Sequence, residues 1–251
     1  MRSWEEDLAE DEILFKVDLS NAYGEMDRQP ILKATKERCP QILPWATWCL
    51  DQPSRLFLGS EVILCAKGVQ QGDPLAPVLF SLGLHDTIEH IADAHRACRQ
   101  CWFLGDGGFK GKSADIGAMY TTLQGLLRAK GMRVNEEKCE VYPKSSHPSM
   151  TPSLAKIPVE RDRDKWRYLG APLCEQTRAA AQEALDRMDK LQRGIEVMAA
   201  QFPAQALQLL RSTTGACKVE FLMQAMPLNF FFRNNWPLRA MKGYEPAWRF
   251  S

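Results

Sequence analysis

The sequence has 251 residues, of which 45% are hydrophobic and 25% are charged, and these proportions are typical of a globular protein rather than a disordered or fibrous one. No apolar run approaches the roughly 20 residues of a membrane span, and the acidic start MRSWEEDLAEDE is unlike a signal peptide. We therefore expect a soluble intracellular protein with no membrane association, and no basic cluster assigns it to the nucleus or to the cytoplasm.

Charge is spread unevenly along the chain. Residues 1–151 carry 17 Lys and Arg against 21 Asp and Glu, whereas residues 152–251 carry 15 against 10. The basic second half permits contact with a phosphate backbone. An excess of this size is also common on ordinary solvated surfaces, so charge alone does not indicate nucleic acid binding.

The eight cysteines lie mostly in apolar or periodic segments, which indicates reduced thiols. Cys98 and Cys101 have the spacing of half a zinc site. The chain has no second pair of this kind and its four histidines lack ligand spacing, so no zinc site is expected.

The first part of the chain alternates predicted strands and helices. Residues 13–18 form a short apolar run ending in a carboxylate, which predicts a buried strand. A capping Asp and a Pro near the first turn predict a helix over 27–39. Two apolar runs at 55–58 and 61–65 flank a Gly-Ser pair, a pattern typical of a β-hairpin.

The middle part continues this mixture. A loop rich in Gly and Pro at 68–77 leads into a predicted helix that ends near Ala97. A predicted strand at 100–104 is followed by a tight turn over 105–108. A helix capped by Ser113 and a strand at 138–142 follow. Strands and helices interspersed in this way predict an α+β sheet with helices packed on one face.

The last part is predicted to be mainly helical. Residues 143–165 are rich in Ser, Pro and charge and are predicted to be a surface loop or linker. A hairpin is predicted at 166–173, and helical apolar spacing follows at 176–200 and 204–224.

Five segments follow one another in the order of the motifs of a known enzyme family. They are Phe15–Tyr23 (FKVDLSNAY), Gly68–Ser81 (GVQQGDPLAPVLFS), Trp102–Gly107 (WFLGDG), Gly131–Glu140 (GMRVNEEKCE) and Tyr168–Pro172 (YLGAP). Together they resemble the palm motifs and the primer-gripping hairpin of reverse transcriptases, which are RNA-directed DNA polymerases, of the non-LTR retrotransposon type. The second segment is the most specific match, and the resemblance covers most of residues 13–228.

The resemblance implies a polymerase palm with its primer-grip-like hairpin at residues 1–173, followed by a helical thumb-like region at 174–251. It implies template-directed DNA synthesis from dNTPs on an RNA template and a DNA primer. Nucleotidyl transfer of this kind uses two Mg²⁺ ions about 3.5–4 Å apart, held by carboxylates.

By the same resemblance, Asp18 binds both metal ions and the carbonyl of Leu19 helps to hold one of them. Asp106 is a further, lesser metal ligand. Tyr23 is the steric gate that lies under the sugar and rejects a 2′-hydroxyl group, which predicts a preference for deoxynucleotides.

The remaining implied roles concern the nucleotide and the primer. Gln71 and Gly72 shape the pocket around the incoming nucleotide and the template. Lys138 is either a general acid for the leaving pyrophosphate or an ordinary solvated charge, and the sequence leaves both open. The residues implied in gripping the primer are Tyr168, Leu169 and Gly170.

The chain departs from the family at the third motif, where two adjacent aspartates are normal and Gly105 replaces the first. The missing carboxylate is the one that bridges the metals in the family. Its loss should weaken metal binding more than the roughly 10–100-fold typical of losing a supporting residue. Asp73 or water are the alternatives for a partial substitute.

Only about a dozen residues precede the first motif, so we expect the fingers that grip template and nucleotide to be absent or supplied by another chain. Two hypotheses follow. The chain is a reverse transcriptase-like domain with reduced or lost activity, or it is a catalytically inactive retroelement remnant that at most binds RNA or DNA.

Overall fold

The computed structural model describes residues 1–145 and 150–173, together with a few positions between 190 and 202. One compact unit comprises residues 3–161, and a second begins at Asp162. The predicted helices at 176–200 and 204–224 and the thumb-like region at 174–251 lie almost wholly outside the described residues. They stay predictions, as does the domain division at residue 173.

The helices and strands alternate along the chain as follows. The helices are α1 (Arg2–Glu6), α2 (Ala22–Glu25), α3 (Arg28–Arg38), α4 (Leu43–Leu50), α5 (Ala76–Ala94) and α6 (Ser113–Arg128). The strands are β1 (Glu12–Asp18), β2 (Ser54–Leu58), β3 (Glu61–Cys65), β4 (Arg99–Phe103), β5 (Asp106–Lys112), β6 (Glu140–Pro143), β7 (Arg167–Tyr168) and β8 (Ala171–Pro172). In the described ranges, every helix is too short or too polar to cross a lipid bilayer.

The central sheet has four strands in the order β4-β5-β1-β6, and each neighbouring pair is antiparallel. In β1, Glu12 lies opposite Lys112 of β5, and the register continues without a break to Asp18 opposite Asp106. The pairs β2–β3 and β7–β8 form two separate hairpins. An antiparallel sheet with helices interspersed along the chain confirms the predicted α+β class.

The main core lies between this sheet and the helices. Alternate residues of β1, namely Ile13, Phe15 and Val17, are buried in it. Phe15 packs edge-on against Tyr120 of α6, with ring centroids 5.2 Å apart. Full burial of a side chain such as Phe15 contributes roughly 2–3 kcal/mol, so β1 is firmly held at the centre of the fold.

The opposite face of the sheet is covered by the N-terminal segment. Leu14, which points away from the main core, is fully buried. Lys110 on the same face of β5 donates a hydrogen bond to the Asp7 carbonyl at 2.7 Å. At the edge strand, the Arg99 guanidinium lies 5.2 Å from the ring centroid of the buried Trp4. Both faces at the centre of the sheet are therefore protected from solvent.

The prediction of a tight turn over 105–108 is wrong in its extent. The turn consists of Leu104–Gly105, and β5 begins at the next residue. A Cβ atom on Gly107 would lie 2.9 Å from the ring of Trp102. Gly107 is therefore a strand residue whose missing side chain makes room for an aromatic ring.

The prediction of a surface linker over 143–165 is also wrong for its second half. Leu154 and Ile157 are buried in the main core, and Val159 forms a bridge with Val141 of β6. Ser153 donates a hydrogen bond to the Gly117 carbonyl in α6 at 3.1 Å. The segment was predicted to be a linker because it is rich in Ser and Pro, although a few of its apolar side chains pack in the core.

Some predicted element ends shift by a few residues, as is usual for sequence-based boundaries. Ser113 is the first residue of α6 rather than its cap, because Lys112 occupies the N-cap position. Helix α4 was absent from the sequence-based predictions altogether. It contains two tryptophans and a proline, which give a weak helical pattern.

Candidate active site

Two carboxylates meet where β1 ends and β5 begins. Asp18 and Asp106 are directly opposite each other in the antiparallel register, so their side chains lie on the same face of the sheet. Burial raises the pKa of Asp106, the nearby charge of Asp18 raises it further, and Lys16 partly opposes the shift. A carboxyl group with a raised pKa that faces a second carboxyl group is the arrangement expected of a cation-binding or catalytic position.

The end of β1 is fastened by the segment that follows α6. The Asn135 N–H donates to the Asp18 carbonyl at 2.9 Å, and the Asp18 N–H donates to the Cys139 sulfur at 3.5 Å. Burial raises the pKa of Cys139 to about 12, so it remains a neutral thiol. The backbone of Asp18 is thus held from both sides, which fixes the direction of its side chain.

Leu19 continues from Asp18 into the neighbourhood of the third motif. Its N–H donates to the Gly105 carbonyl at 3.3 Å, and it also bridges with Val134. The first, third and fourth motifs, which are far apart in the sequence, therefore converge on the Asp18–Leu19 backbone.

The turn of the third motif carries its backbone strain at Leu104, which has a φ of 54°. Gly105 does not have a positive φ, so the backbone itself accepts a side chain there. A Cβ at Gly105 would, however, lie 2.9 Å from the Cβ of Ala22. An aspartate at this position would need a small shift of the first turn of α2.

Asp73 does not supply the missing carboxylate. Its side chain accepts a hydrogen bond from the Leu75 N–H at 2.8 Å, next to the start of α5. Within residues 1–145 and 150–173, no three Asp, Glu, His or Cys side chains come together as a metal site would require. Among these described residues, the acidic site consists of Asp18 and Asp106.

Tyr23 lies in α2, five residues after Asp18 in the sequence, and is held by the second motif. Its ring stacks on Phe80 of α5, with centroids 5.0 Å apart and planes 12° from parallel. Its carbonyl accepts from the Val69 N–H at 2.7 Å. Gly68 has a φ of 63°, and a Cβ on it would lie 2.0 Å from the Tyr23 carbonyl oxygen. Only glycine permits this close approach.

Arg28 is a buried residue that the sequence-based reasoning missed. Its guanidinium donates to four backbone carbonyls at 2.9 to 3.3 Å, which belong to Leu50, Gln52, Cys65 and Gly68. These carbonyls belong to the end of α4, the base of the β2–β3 hairpin and the start of the second motif. The local sequence indicates only a helix start at this position and contains no signal of the distant partners.

The other predicted residues are placed as follows. Gln71 and Gly72 are exposed in the loop before α5, and Gly72 has a φ of 96°. Lys138 is exposed and is adjacent to Cys139. The hairpin of β7 and β8 belongs to the unit that begins at Asp162, and its turn is Leu169–Gly170, with φ values of 53° and 78°. Tyr168 pairs with Ala171 across this hairpin.

Comparison with known proteins places these motifs in a family. A family model described as "Reverse transcriptase (RNA-dependent DNA polymerase)" matches residues 2–173. The Pol polyprotein of the type-2 retrotransposable element R2DM from Drosophila melanogaster is 27% identical over 154 residues. That match covers 53% of this chain and 14% of the relative, so the chain spans about a seventh of that protein's length.

Solved structures of telomerase are also similar. Apo telomerase from Candida tropicalis matches 66% of this chain and 36% of its own, at 14% identity and a TM-score of 0.44. Telomerase from Candida albicans matches 96% of this chain and 47% of its own, at 11% identity and a TM-score of 0.45. The family model covers well over half of the chain, and the R2 match agrees with the non-LTR type indicated by the motifs, so this chain belongs to the reverse transcriptase family.

Proposed function

We propose that this chain provides the catalytic palm of an RNA-directed DNA polymerase whose activity is strongly reduced. The observation that carries this proposal is the pairing of Asp18 with Asp106 across β1 and β5. The R2 relative and the family model support an RNA template, a DNA primer and dNTPs as the substrates.

In this proposal the acidic pair holds the divalent cations that the family uses. Asp18, Asp106 and the Leu19 carbonyl provide hard oxygen ligands, which Mg²⁺ prefers. When bound, two Mg²⁺ ions would activate the 3′ oxygen and neutralise the leaving pyrophosphate. The raised pKa of Asp106 agrees with the proposal: burial is its main cause and the charge of Asp18 adds to it, and a bound cation would offset both effects.

Tyr23 selects the sugar in the proposed reaction. Its stacking on Phe80 and the hydrogen bond to its carbonyl leave the ring little freedom to move. A fixed ring can exclude a 2′-hydroxyl group by contact, whereas a mobile ring would yield to it. Deoxynucleotides are therefore the proposed substrates.

The other predicted residues take the remaining roles. Gln71 and Gly72 contact the nucleotide and the template, and Lys138 donates a proton to the pyrophosphate. Tyr168, Leu169 and Gly170 contact the primer end. The proposed partners are the RNA template, the DNA primer and a separate polypeptide that contributes fingers.

The second candidate function is binding of RNA or DNA without catalysis. The observation that favours it is Gly105, which removes a carboxylate where the family has its metal-bridging aspartate. Two carboxylates hold a pair of divalent ions less tightly than three, because each ion's charge is less fully compensated.

A primer-extension assay on an RNA template, with Mg²⁺ or Mn²⁺, distinguishes the two. The natural chain is compared with Asp18→Asn and Asp106→Asn, and with Asp93→Asn as a control on the far end of α5. We expect slow extension that both site variants abolish and the control preserves. Primer-template binding without extension in every form would instead favour the second function.

A further inference from the structure

The β2–β3 hairpin presents an unusual apolar surface. Its two strands pair only with each other among the described residues. Six of its large apolar side chains are between 48% and 74% exposed; they are Leu56, Phe57, Leu58, Val62, Ile63 and Leu64. Neighbouring residues of a strand point to opposite faces, so both faces of the hairpin are apolar and open.

Such a hairpin is at once marginally stable and adhesive. An isolated two-stranded hairpin needs a third strand or a covering element to be stable in water. Its unpaired edges also offer N–H and carbonyl groups to any strand that approaches. This surface is therefore expected to bind a partner that adds a strand to the hairpin.

We propose that the occupant is a second copy of this chain, paired through β3 in antiparallel fashion about a two-fold axis at Leu64. This register places Leu64 opposite its own copy. Extended two residues past the end of β3 at Cys65, the same register places Glu61 opposite Lys67 of the other copy, and the two-fold symmetry makes this contact twice. Opposite charges directly across an antiparallel pair stabilise the pairing.

The charges of the hairpin favour β3 over β2. Strand β2 has Arg55 and no carboxylate to meet it, and Pro53 before it lacks an N–H group for the ladder. A β3-to-β2 contact between copies would also be possible, but it does not close and would continue into a fibre. The pairing of β3 with itself gives a closed dimer with a four-stranded sheet.

Lys67 is available for this contact. It lies two residues beyond β3, and its ammonium group is 3.0 Å from Asp27. Both side chains of that ion pair are about half exposed, so it is weak and exchanges readily. The Arg28 hydrogen bond to the Cys65 carbonyl holds the base of the hairpin to the main body, so the edge is presented in a defined direction.

Sedimentation velocity of the complete chain tests the proposal without reference to polymerase activity. We expect a monomer–dimer equilibrium between ~1 µM and ~100 µM, a range that covers interfaces of modest affinity. Glu61→Lys should raise the dimer Kd about tenfold, because it places like charges opposite each other twice. Adding Lys67→Glu to that variant should restore the dimer.

Controls separate this effect from misfolding and from nonspecific association. Asp11→Lys reverses one member of an exposed 2.9 Å ion pair with Lys112 on the main sheet and should leave the Kd unchanged. Circular dichroism at each step reports whether a variant is folded, and rescue by the double variant excludes a folding defect as the cause.

The proposal would be overturned by a monomer at every concentration, by a dimer whose Kd does not respond to the charge reversal, or by open-ended assemblies in place of a dimer. Capture of a separate fingers-bearing polypeptide by the hairpin, with no self-association, would assign the surface to a different partner and also refute it.

Discussion

Restoring the carboxylate at position 105 tests how strongly the acidic site can bind a divalent cation. The Gly105→Asp side chain would begin 2.9 Å from the Cβ of Ala22, which is closer than side-chain carbons normally approach. Overpacking of this kind costs about 1–3 kcal/mol. A third negative charge near Asp18 and Asp106 also destabilises the folded state, by up to about 4 kcal/mol per close pair at an effective dielectric constant of 20.

Without divalent ions, we therefore expect Gly105→Asp to be less stable than the natural chain, and less stable than the uncharged Gly105→Asn. Mg²⁺ or Mn²⁺ should reverse this order, because an ion that binds only the folded state stabilises it in proportion to the logarithm of its concentration. Thermal unfolding with and without each ion measures the difference. Primer extension by the same variants measures whether activity returns.

The space beside position 105 provides a further variant. Ala22→Gly removes the atom that an added side chain would meet, so the double variant should recover the packing cost while keeping the carboxylate. If Gly105→Asp and Gly105→Asn melt alike and respond equally to Mn²⁺, then position 105 does not point into the acidic site and the reasoning is wrong.

Three further predictions concern the support of the site. Arg28→Met should lower the free energy of unfolding by about 3–5 kcal/mol, since it leaves buried carbonyls unpaired; a urea midpoint equal to that of the natural chain would contradict this. Gly68→Ala should lower the free energy of unfolding by more than about 3 kcal/mol, because its Cβ would overlap the Tyr23 carbonyl. Gly125→Ala in α6 meets no atom within 4 Å and should raise the free energy of unfolding by about 0.5–1 kcal/mol in the same urea titrations. The raised pKa of Asp106 means that the folded state binds its proton more tightly than the unfolded state, so this residue's contribution to stability is lost as pH rises from below 3.8 through the folded pKa. Asp106→Asn should therefore raise the melting temperature at neutral pH in metal-free buffer and have little effect below pH 3.8; equal effects at both would refute the assignment.

The fold class and the strand that carries Asp18 could be predicted because they depend on local sequence. A buried apolar run ending in Asp, and a Gly-Ser pair between two apolar runs, each specify their structure within a few residues. The order of the motifs then brought Asp18 and Asp106 into one hypothesis. Their direct opposition in the register is a finding of the structure.

Features that depend on distant partners could not be predicted. Arg28 donates hydrogen bonds to four carbonyls up to 40 residues away in the sequence, and no local pattern predicts such contacts. Leu154 and Ile157 were assigned to a linker because the Ser and Pro residues around them dominate the composition. The exposed β2–β3 hairpin was predicted as a hairpin, but its lack of cover is a property of the whole structure.

The register between β1 and β5 also determines which kinds of mutation leave Asp18 and Asp106 facing each other. Successive residues of a strand point to opposite faces, so deleting or inserting one codon near the start of β5 would turn Asp106 away from Asp18. A substitution such as that at Gly105 leaves the remaining pair aligned. In related chains that accumulate mutations, a length change between β4 and β5 is therefore expected to abolish the pairing of the two carboxylates in one step. Substitutions are expected to weaken the site one residue at a time.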